Sequence, residues 1–168
     1  NVLFLNTSDT STSAAVPPGQ YHTISSTDYV NIDTPFGTSS ASFGKGIDFK
    51  SGRLAISAPG ATLSPPGAFG AVSLYTYYNT VSPLVASSPD KIYTDVTLKN
   101  PTGLSADIFG NTLHFSRKAN KLAVTAPGKS SNVGALYIYD LQSSPITFYT
   151  FAPESSASNF GTASAYSD

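Results

Sequence analysis

Short apolar runs separated by turn residues recur along the chain, and no stretch of convincing length has the apolar spacing of an amphipathic helix. Residues 54–57 and 122–125 are mainly apolar and partly β-branched, as in strands buried on both faces. Residues 91–98 and 146–151 read as further strands. This pattern predicts an all-β chain with many short strands.

The apolar runs come in the same order twice. A Phe-Gly pair is followed by a strand-like run and a polar turn, then by Leu-Ala-Ile/Val-x-Ala-Pro-Gly, and finally by Gly-Ala-x-x-x-Tyr. A third copy opens with Phe-Gly near the last residue of the sequence. The landmarks are Phe43, Gly44, Ala58, Pro59 and Gly70 in the first copy, Phe109, Gly110, Ala126, Pro127 and Gly134 in the second, and Phe160 and Gly161 in the third. An internal repeat of this kind outranks local signals in predicting the architecture.

The last run of each copy alternates between two kinds of side chain. One face takes Val72, Leu74 and Thr76 in the first copy and Leu136 and Ile138 in the second; the other face takes Ser73, Tyr75, Tyr77, Tyr137 and Tyr139. Both faces are largely apolar or aromatic, so the sequence predicts sheets that are packed on both sides.

This order of landmarks resembles the FG-GAP repeat, which builds β-propeller blades in integrin α chains and in many bacterial, algal and giant-virus surface proteins. The resemblance implies a four-stranded antiparallel blade per copy, stacked against its neighbours. It divides the chain into a Ser/Thr-rich N-terminal arm with short strands (1–35), a first blade (36–98), a second blade (99–159) and the start of a truncated third repeat (160–168).

Two complete copies cannot close a propeller, which usually has four to eight blades. The expectation is therefore a propeller that is incomplete in this chain, either part of a longer one or completed by other copies of the chain. A β-sandwich or jelly roll is the alternative fold. A strand at residues 160–166 would leave an exposed edge open to self-assembly with another chain.

Many FG-GAP blades hold calcium in an Asp-rich loop between the Phe-Gly and the Ala-Pro, because calcium takes several oxygen ligands. The first copy offers only Asp48 in that interval, and the second offers no Asp. We therefore expect no metal and no cofactor.

Composition narrows the class of partner. Charged residues make up 11% of the chain and its net charge is −1, so there is no basic surface for nucleic acid. The chain has no cysteine, hence no disulfide framework and no thiolate nucleophile. No apolar run is long enough to span a membrane. The Ser, Thr, Gly and Tyr content with few charges is typical of an extracellular or virion-surface β-protein.

Candidate chemistry is sparse. The two histidines, His22 and His114, have no carboxylate at a suggestive spacing, and no nucleophile elbow is present, so we expect no catalytic residues. Inter-blade packing is the preferred role of the repeated tyrosines. Tyr75, Tyr77, Tyr137 and Tyr139 are also candidates for an aromatic platform that binds a protein or a glycan. Asn6 opens an Asn-x-Ser sequon, a candidate glycosylation site.

Three functions follow from these patterns. The first is a non-enzymatic extracellular or surface module for interaction or adhesion. The second is a structural subunit of a larger assembly, such as a virion surface, fibre or filament, that other chains complete. The third is a glycan-active enzyme on a propeller.

Overall fold

The chain is mostly β, as its sequence predicts. The computed structural model describes residues 2–5, 29–32, 34–36, 41–63, 68–76, 92–93, 107–154 and 159–165. The strands are β1 (Val2–Leu5), β2 (Tyr29–Ile32), β3 (Ile47–Lys50), β4 (Arg53–Leu63), β5 (Ala68–Thr76), β6 (Ile92–Tyr93), β7 (Leu113–Phe115), β8 (Lys121–Ala126), β9 (Ala135–Asp140) and β10 (Thr147–Phe151). One short turn, α1 (Lys129–Asn132), interrupts them, and two of its residues have left-handed backbone angles.

The strands form three antiparallel sheets. β1 pairs with β2, and two four-stranded sheets follow in the orders β3-β4-β5-β6 and β7-β8-β9-β10. We call these the first sheet and the second sheet; each contains one copy of the sequence pattern. Within the described residues neither sheet closes into a barrel, so each has two edge strands.

Proline cannot donate to a ladder and glycine permits a sharp change of direction, so the Ala-Pro-Gly landmark predicts the end of a strand in each copy. The structure has this end in one copy and not in the other. β8 ends at Ala126, as expected. β4 instead continues through Pro59 to Leu63, so the stop predicted there is wrong. Its pairing with β5 shifts between Ala58 and Thr62, and the Gly60 amide donates to the Ala41 carbonyl at 3.0 Å. A bulge of this kind accommodates a proline, which has no amide to give to the ladder.

The two four-stranded sheets pack face to face. Ala55 and Val72, with half-buried Leu74, contact the aromatic and aliphatic side chains of the second sheet, which are Phe109, Leu113, Phe115, Leu122, Val124, Tyr137 and Tyr139. The alternation of side chains predicted for β5 and β9 is confirmed. Val72 of β5 and Tyr137 of β9 point into the core between the two sheets, while Tyr75 of β5 lies on the other side of the first sheet. There Leu54, Ile56 and Tyr75 pack with Ile32 of β2.

The three Phe-Gly pairs form nearly identical turns. The residue before each Phe is left-handed, with φ of 53° at Ser42, 54° at Ile108 and 48° at Asn159. The glycines that follow the three phenylalanines have φ of 94°, 93° and 88°. In each turn the amide after the glycine donates to the carbonyl of the residue before Phe, at 3.2, 3.1 and 3.1 Å. A turn with positive φ at its third residue requires glycine there, which explains the Gly of the motif.

Each later Phe-Gly turn sits on the Gly-Ala landmark of the copy before it. A Cβ at Gly70 would lie 2.8 Å from the carbonyl oxygen of Phe109, and a Cβ at Gly134 would overlap the backbone of Phe160. Gly134 and Phe160 also form an isolated parallel bridge. The repeat in the sequence is therefore a repeat in space, with the same close backbone approach made twice.

The strand predicted from Phe160 is not found in residues 159–165, which form a turn and bends. The same is true directly after Phe43 and Phe109, where regular strands begin only at Ile47 and Leu113. The residues immediately after Phe-Gly are used to cross from one layer to the next, so they do not extend a sheet. The predicted self-assembly edge at these residues is therefore missing from the described part of the C-terminal segment.

Candidate partner-binding surface

The repeated tyrosines belong to the core. Tyr75, Tyr137 and Tyr139 are at most 1% exposed, and Tyr77 lies outside the described residues. Phe109 packs edge-on against Tyr137 and Tyr139, with ring centroids 5.4 and 6.3 Å apart. A surface partner cannot reach side chains buried in this way, so the geometry favours the packing role over the platform role.

Burial also sets the chemistry of these tyrosines. Burial raises the pKa of the Tyr139 phenol far above its ordinary value, and the neighbouring Tyr137 raises it further. Among the described residues the Tyr139 hydroxyl has no hydrogen-bond partner. The Tyr137 hydroxyl accepts a hydrogen bond from Lys129 Nζ at 2.7 Å. These hydroxyls serve packing and one local contact, and they do not converge on a cavity.

Within the described residues, no further sheet covers the face of the second sheet that points away from the first sheet. The cross-strand registers bring ten residues to this side, which we call the open face: His114, Lys121, Ala123, Thr125, Leu136, Ile138, Asp140, Thr147, Tyr149 and Phe151. Tyr149 is 63% exposed and Phe151 is 51% exposed, whereas Leu136 and Ile138 are half-buried. The open face is thus an apolar and aromatic surface on a rigid sheet.

The open face matches a face that the protein covers elsewhere. In the first sheet Ala55, Val72 and Leu74 hold the positions that Ala123, Leu136 and Ile138 hold in the second. The first three pack against the second sheet, whereas Leu136 and Ile138 are half-buried and Ala123 is 6% exposed on a face that no further sheet covers in the described residues. In the same ranges the third Phe-Gly turn reaches this side: a Cβ at Gly161 would lie 3.0 Å from Thr125 Cβ.

Charge is confined to one end of the open face. Lys121 and Asp140 are cross-strand partners there, and Asp140 is also opposite Thr147. The rest of the face holds no Asp, Glu, Lys or Arg. An apolar centre with a charged rim is typical of protein–protein contact surfaces, which exclude charge from their centre.

Among the described residues, Asp48, His114 and Asp107 have different surroundings. Asp48 is a structural acceptor, because its Oδ2 takes a hydrogen bond of 2.6 Å from the Phe115 amide and so ties the first sheet to the second. His114 is half-buried in β7 on the open face. Asp107 is buried, its backbone carbonyl accepts from the Gly128 amide, and its Oδ2 lacks a partner among the described residues.

No cluster of three or more His, Asp or Glu side chains suited to a metal occurs in the described ranges. Asn6 and His22 lie outside those ranges. In the same part of the chain, no helix is long and apolar enough to cross a membrane.

The aromatic residues of β10 were not singled out from the sequence as binding candidates. Residues 146–151 resemble any buried strand, because nothing in a single sequence tells whether a further layer covers it. The position of β10 at the end of the second copy could have indicated its exposure, because the described residues that follow it contain only the third Phe-Gly turn.

Comparisons with protein-family models, with curated proteins and with solved structures found no match for this chain. The function is therefore argued from the geometry of the chain itself.

Proposed function

We propose that the protein is a non-enzymatic interaction module of FG-GAP type, and that its two four-stranded sheets are blades of a β-propeller. The open face is its contact surface for a protein partner at a cell or particle surface. The observation that carries the proposal is the large exposure of Tyr149 and Phe151 beside half-buried Leu136 and Ile138 on one sheet face.

Rigidity and desolvation favour binding at the open face. Aromatic side chains on a hydrogen-bonded sheet lose little conformational entropy when a partner covers them. Exposed apolar side chains that lie together on one face are often used in binding. A glycan platform is the weaker reading, because the charged side chains of the open face, which could orient hydroxyl groups, lie at one end of it.

The placement outside the cell, on an extracellular or virion surface, rests on composition. Few charges, many Ser and Thr residues and the Asn6 sequon support it. It belongs to the proposal together with the non-enzymatic role.

A structural subunit of a larger assembly is the second candidate. The third Phe-Gly turn favours it, because that turn is already seated on Gly134 while Phe160 remains 39% exposed. The equivalent Phe109 is fully buried by the sheet that follows its turn. A further layer that covers Phe160 would complete the same arrangement.

Site-specific photo-crosslinking tests the module. A benzophenone amino acid replaces Tyr149, or replaces exposed Lys118 in the β7–β8 turn as a control, and each protein is offered to a cell-surface protein extract. We expect an adduct with a discrete protein from position 149 and none from position 118. Unlabelled wild type should compete for the partner protein. Phe49→Ser should compete equally well, because Phe49 is 46% exposed but lies on the first sheet. Tyr149→Ser/Phe151→Ser should compete poorly.

The outcomes separate the candidate functions. Equal adducts from both positions would overturn the contact surface. Release of sugar from a glycan array would favour the enzyme, and retention of a glycan without release would favour a lectin. An adduct formed only with a second copy of the chain would favour the assembly subunit.

A further inference from the structure

The outer strand of the second sheet, β10, is an edge strand without charged residues. Within the described residues it pairs with β9 on one side only, and all five of its residues are exposed. Ser143 Oγ accepts from the Thr147 amide at 2.8 Å and donates to the Asp140 carbonyl at 2.9 Å, so the backbone of Thr147 faces β9. Since successive residues of a strand direct their amides and carbonyls to opposite edges, those of Phe148 and Thr150 face outward. In the described part of the chain no group outside β9 bonds to them.

The sequence around the equivalent strand of the first sheet contains charge. The registers Tyr75↔Ile92 and Tyr139↔Phe148 show that β6 and β10 hold the same place in their sheets. The sequence at residues 91–95 is Lys-Ile-Tyr-Thr-Asp, and at residues 147–151 it is Thr-Phe-Tyr-Thr-Phe. Charged residues at a strand edge are a common device against unwanted pairing. β10 contains none.

The sequence around β10 is suited to pairing with itself. It reads Pro-Ile-Thr-Phe-Tyr-Thr-Phe-Ala-Pro from Pro145 to Pro153, with Tyr149 at the centre. In an antiparallel pair centred on Tyr149, each Phe148 lies opposite Thr150 of the other strand, and each Thr147 lies opposite Phe151. The outward amides and carbonyls of Phe148 and Thr150 then meet, while the prolines, which lack an amide, fall outside the five-residue ladder.

We infer that β10 is a homodimerisation edge: two copies of the chain pair β10 with β10 across a two-fold axis at Tyr149. The product is one continuous eight-stranded sheet with an isologous interface, in which no edge remains at β10. The low net charge of the chain, −1, adds little repulsion between copies. This inference is independent of the partner-binding role proposed above, and it places the self-assembly edge at β10 in place of residues 160–166.

Charge swapping tests the edge. Sedimentation velocity across a wide concentration range should show wild type in a monomer–dimer equilibrium. T147K/F151K and T147D/F151D each place like charges opposite one another, so each dissociation constant should rise at least about tenfold. An equimolar mixture should restore a dimer that contains one copy of each variant. Unchanged urea midpoints would establish that both variants fold.

A single cysteine tests the register. The chain has no cysteine, so Tyr149→Cys introduces one thiol per copy. On the two-fold axis the two Cα atoms of a non-hydrogen-bonded pair lie about 4.5 Å apart, within the range for a disulfide. Tyr149→Cys should therefore form a covalent dimer under mild oxidation much faster than Thr150→Cys, which lies opposite Phe148 of the other copy.

A wild-type monomer at every concentration would overturn the inference, and so would equal dimerisation of the charged variants. Faster crosslinking at position 150 than at position 149 would overturn the register. None of these results bears on the crosslink to a surface protein from position 149, so failure of the dimer and failure of the interaction module can be told apart.

Discussion

At the scale of single residues, backbone conformation explains the landmarks better than side-chain chemistry does. Gly110 has φ of +93°, and a Cβ there would lie 2.9 Å from Ser57 Cβ of the first sheet. Ser57 and Thr125 are buried hydroxyls with one shared role, since their side-chain oxygens accept from the amides of Gly46 and Thr112 at 2.8 and 3.1 Å. The Phe-Gly motif therefore marks a backbone turn at a layer boundary, and nothing in it requires a ligand.

Gly110→Ala should lower the free energy of unfolding by at least about 2 kcal/mol, because alanine is strained at this φ and its methyl group overlaps Ser57. Urea titration followed by far-ultraviolet circular dichroism measures the change. Gly60→Ala is the matched control: Gly60 is exposed and its φ is not positive, so its effect should stay within about 0.5 kcal/mol. Equal losses in both variants would contradict the turn argument.

Tyr139 makes stability depend on pH in the alkaline range. Its folded-state pKa is raised by burial, whereas a tyrosine in the unfolded chain titrates near about pH 10. Below that pH both states keep the phenol proton and the stability is complete. Above it only the unfolded state loses the proton, so the free energy of unfolding falls by up to about 1.4 kcal/mol per pH unit.

Tyr139→Phe should remove the part of the alkaline loss of stability that comes from the Tyr139 phenol. At pH 7 it should be as stable as wild type within about 1 kcal/mol or more stable, because the hydroxyl it deletes is buried without a partner among the described residues. Urea titrations at pH 7 and at pH 11 compare the two proteins. An identical pH 7-to-11 loss in both would show that Tyr139 titrates normally.

At the scale of elements, the strands differ in what fastens their edges. β3 and β7 are edge strands of different sheets, and the carboxylate of Asp48 bridges them by accepting from the Phe115 amide. Arg53 adds a second link, since its guanidinium donates to the Ala119 carbonyl at 3.0 Å. β10 has no comparable link within the described residues, which is why its edge and not that of β3 is expected to pair with another copy.

Asp48→Ala should destabilise the protein by about 1–3 kcal/mol, because the amide of buried Phe115 is left without an acceptor. Asp48→Asn keeps a side-chain oxygen at the same place and should recover part of the loss. Thermal and urea unfolding of both variants measures which substitution costs more stability. If the two substitutions cost the same, the hydrogen bond does not account for the role of Asp48.

At the scale of the whole molecule, the position of a layer in the stack decides what its residues do. Val72 and Leu136 occupy equivalent places in the two sheets, yet Val72 is enclosed by the second sheet and Leu136 is half-buried on the open face. An apolar side chain is thus part of the core in one copy and half-buried on the open face in the other.

Val72→Asp should cost about 4 kcal/mol or more and disrupt both sheets together, because it buries an unpaired charge between them. Leu136→Asp should cost about 1–2 kcal/mol and leave the fold intact, since its carboxylate can reach water. Tyrosine fluorescence and circular dichroism during urea unfolding compare the two. Equal costs would mean that the open face is covered in solution.

The sequence by itself indicated most of the described strands, the two complete copies and the facing of β5 and β9, because alternation and turn chemistry are local properties of the chain. It also placed a strand from Phe160 that residues 159–165 do not form. It also indicated the packing role of the tyrosines. The sequence did not determine that β4 runs past Pro59, because a bulge held by Ala41 depends on a distant carbonyl. Nor did it show which face and edge stay uncovered: identical patterns are core or surface according to the layer stacked on them, and only the tertiary structure decides that Tyr149 and Phe151 face outward.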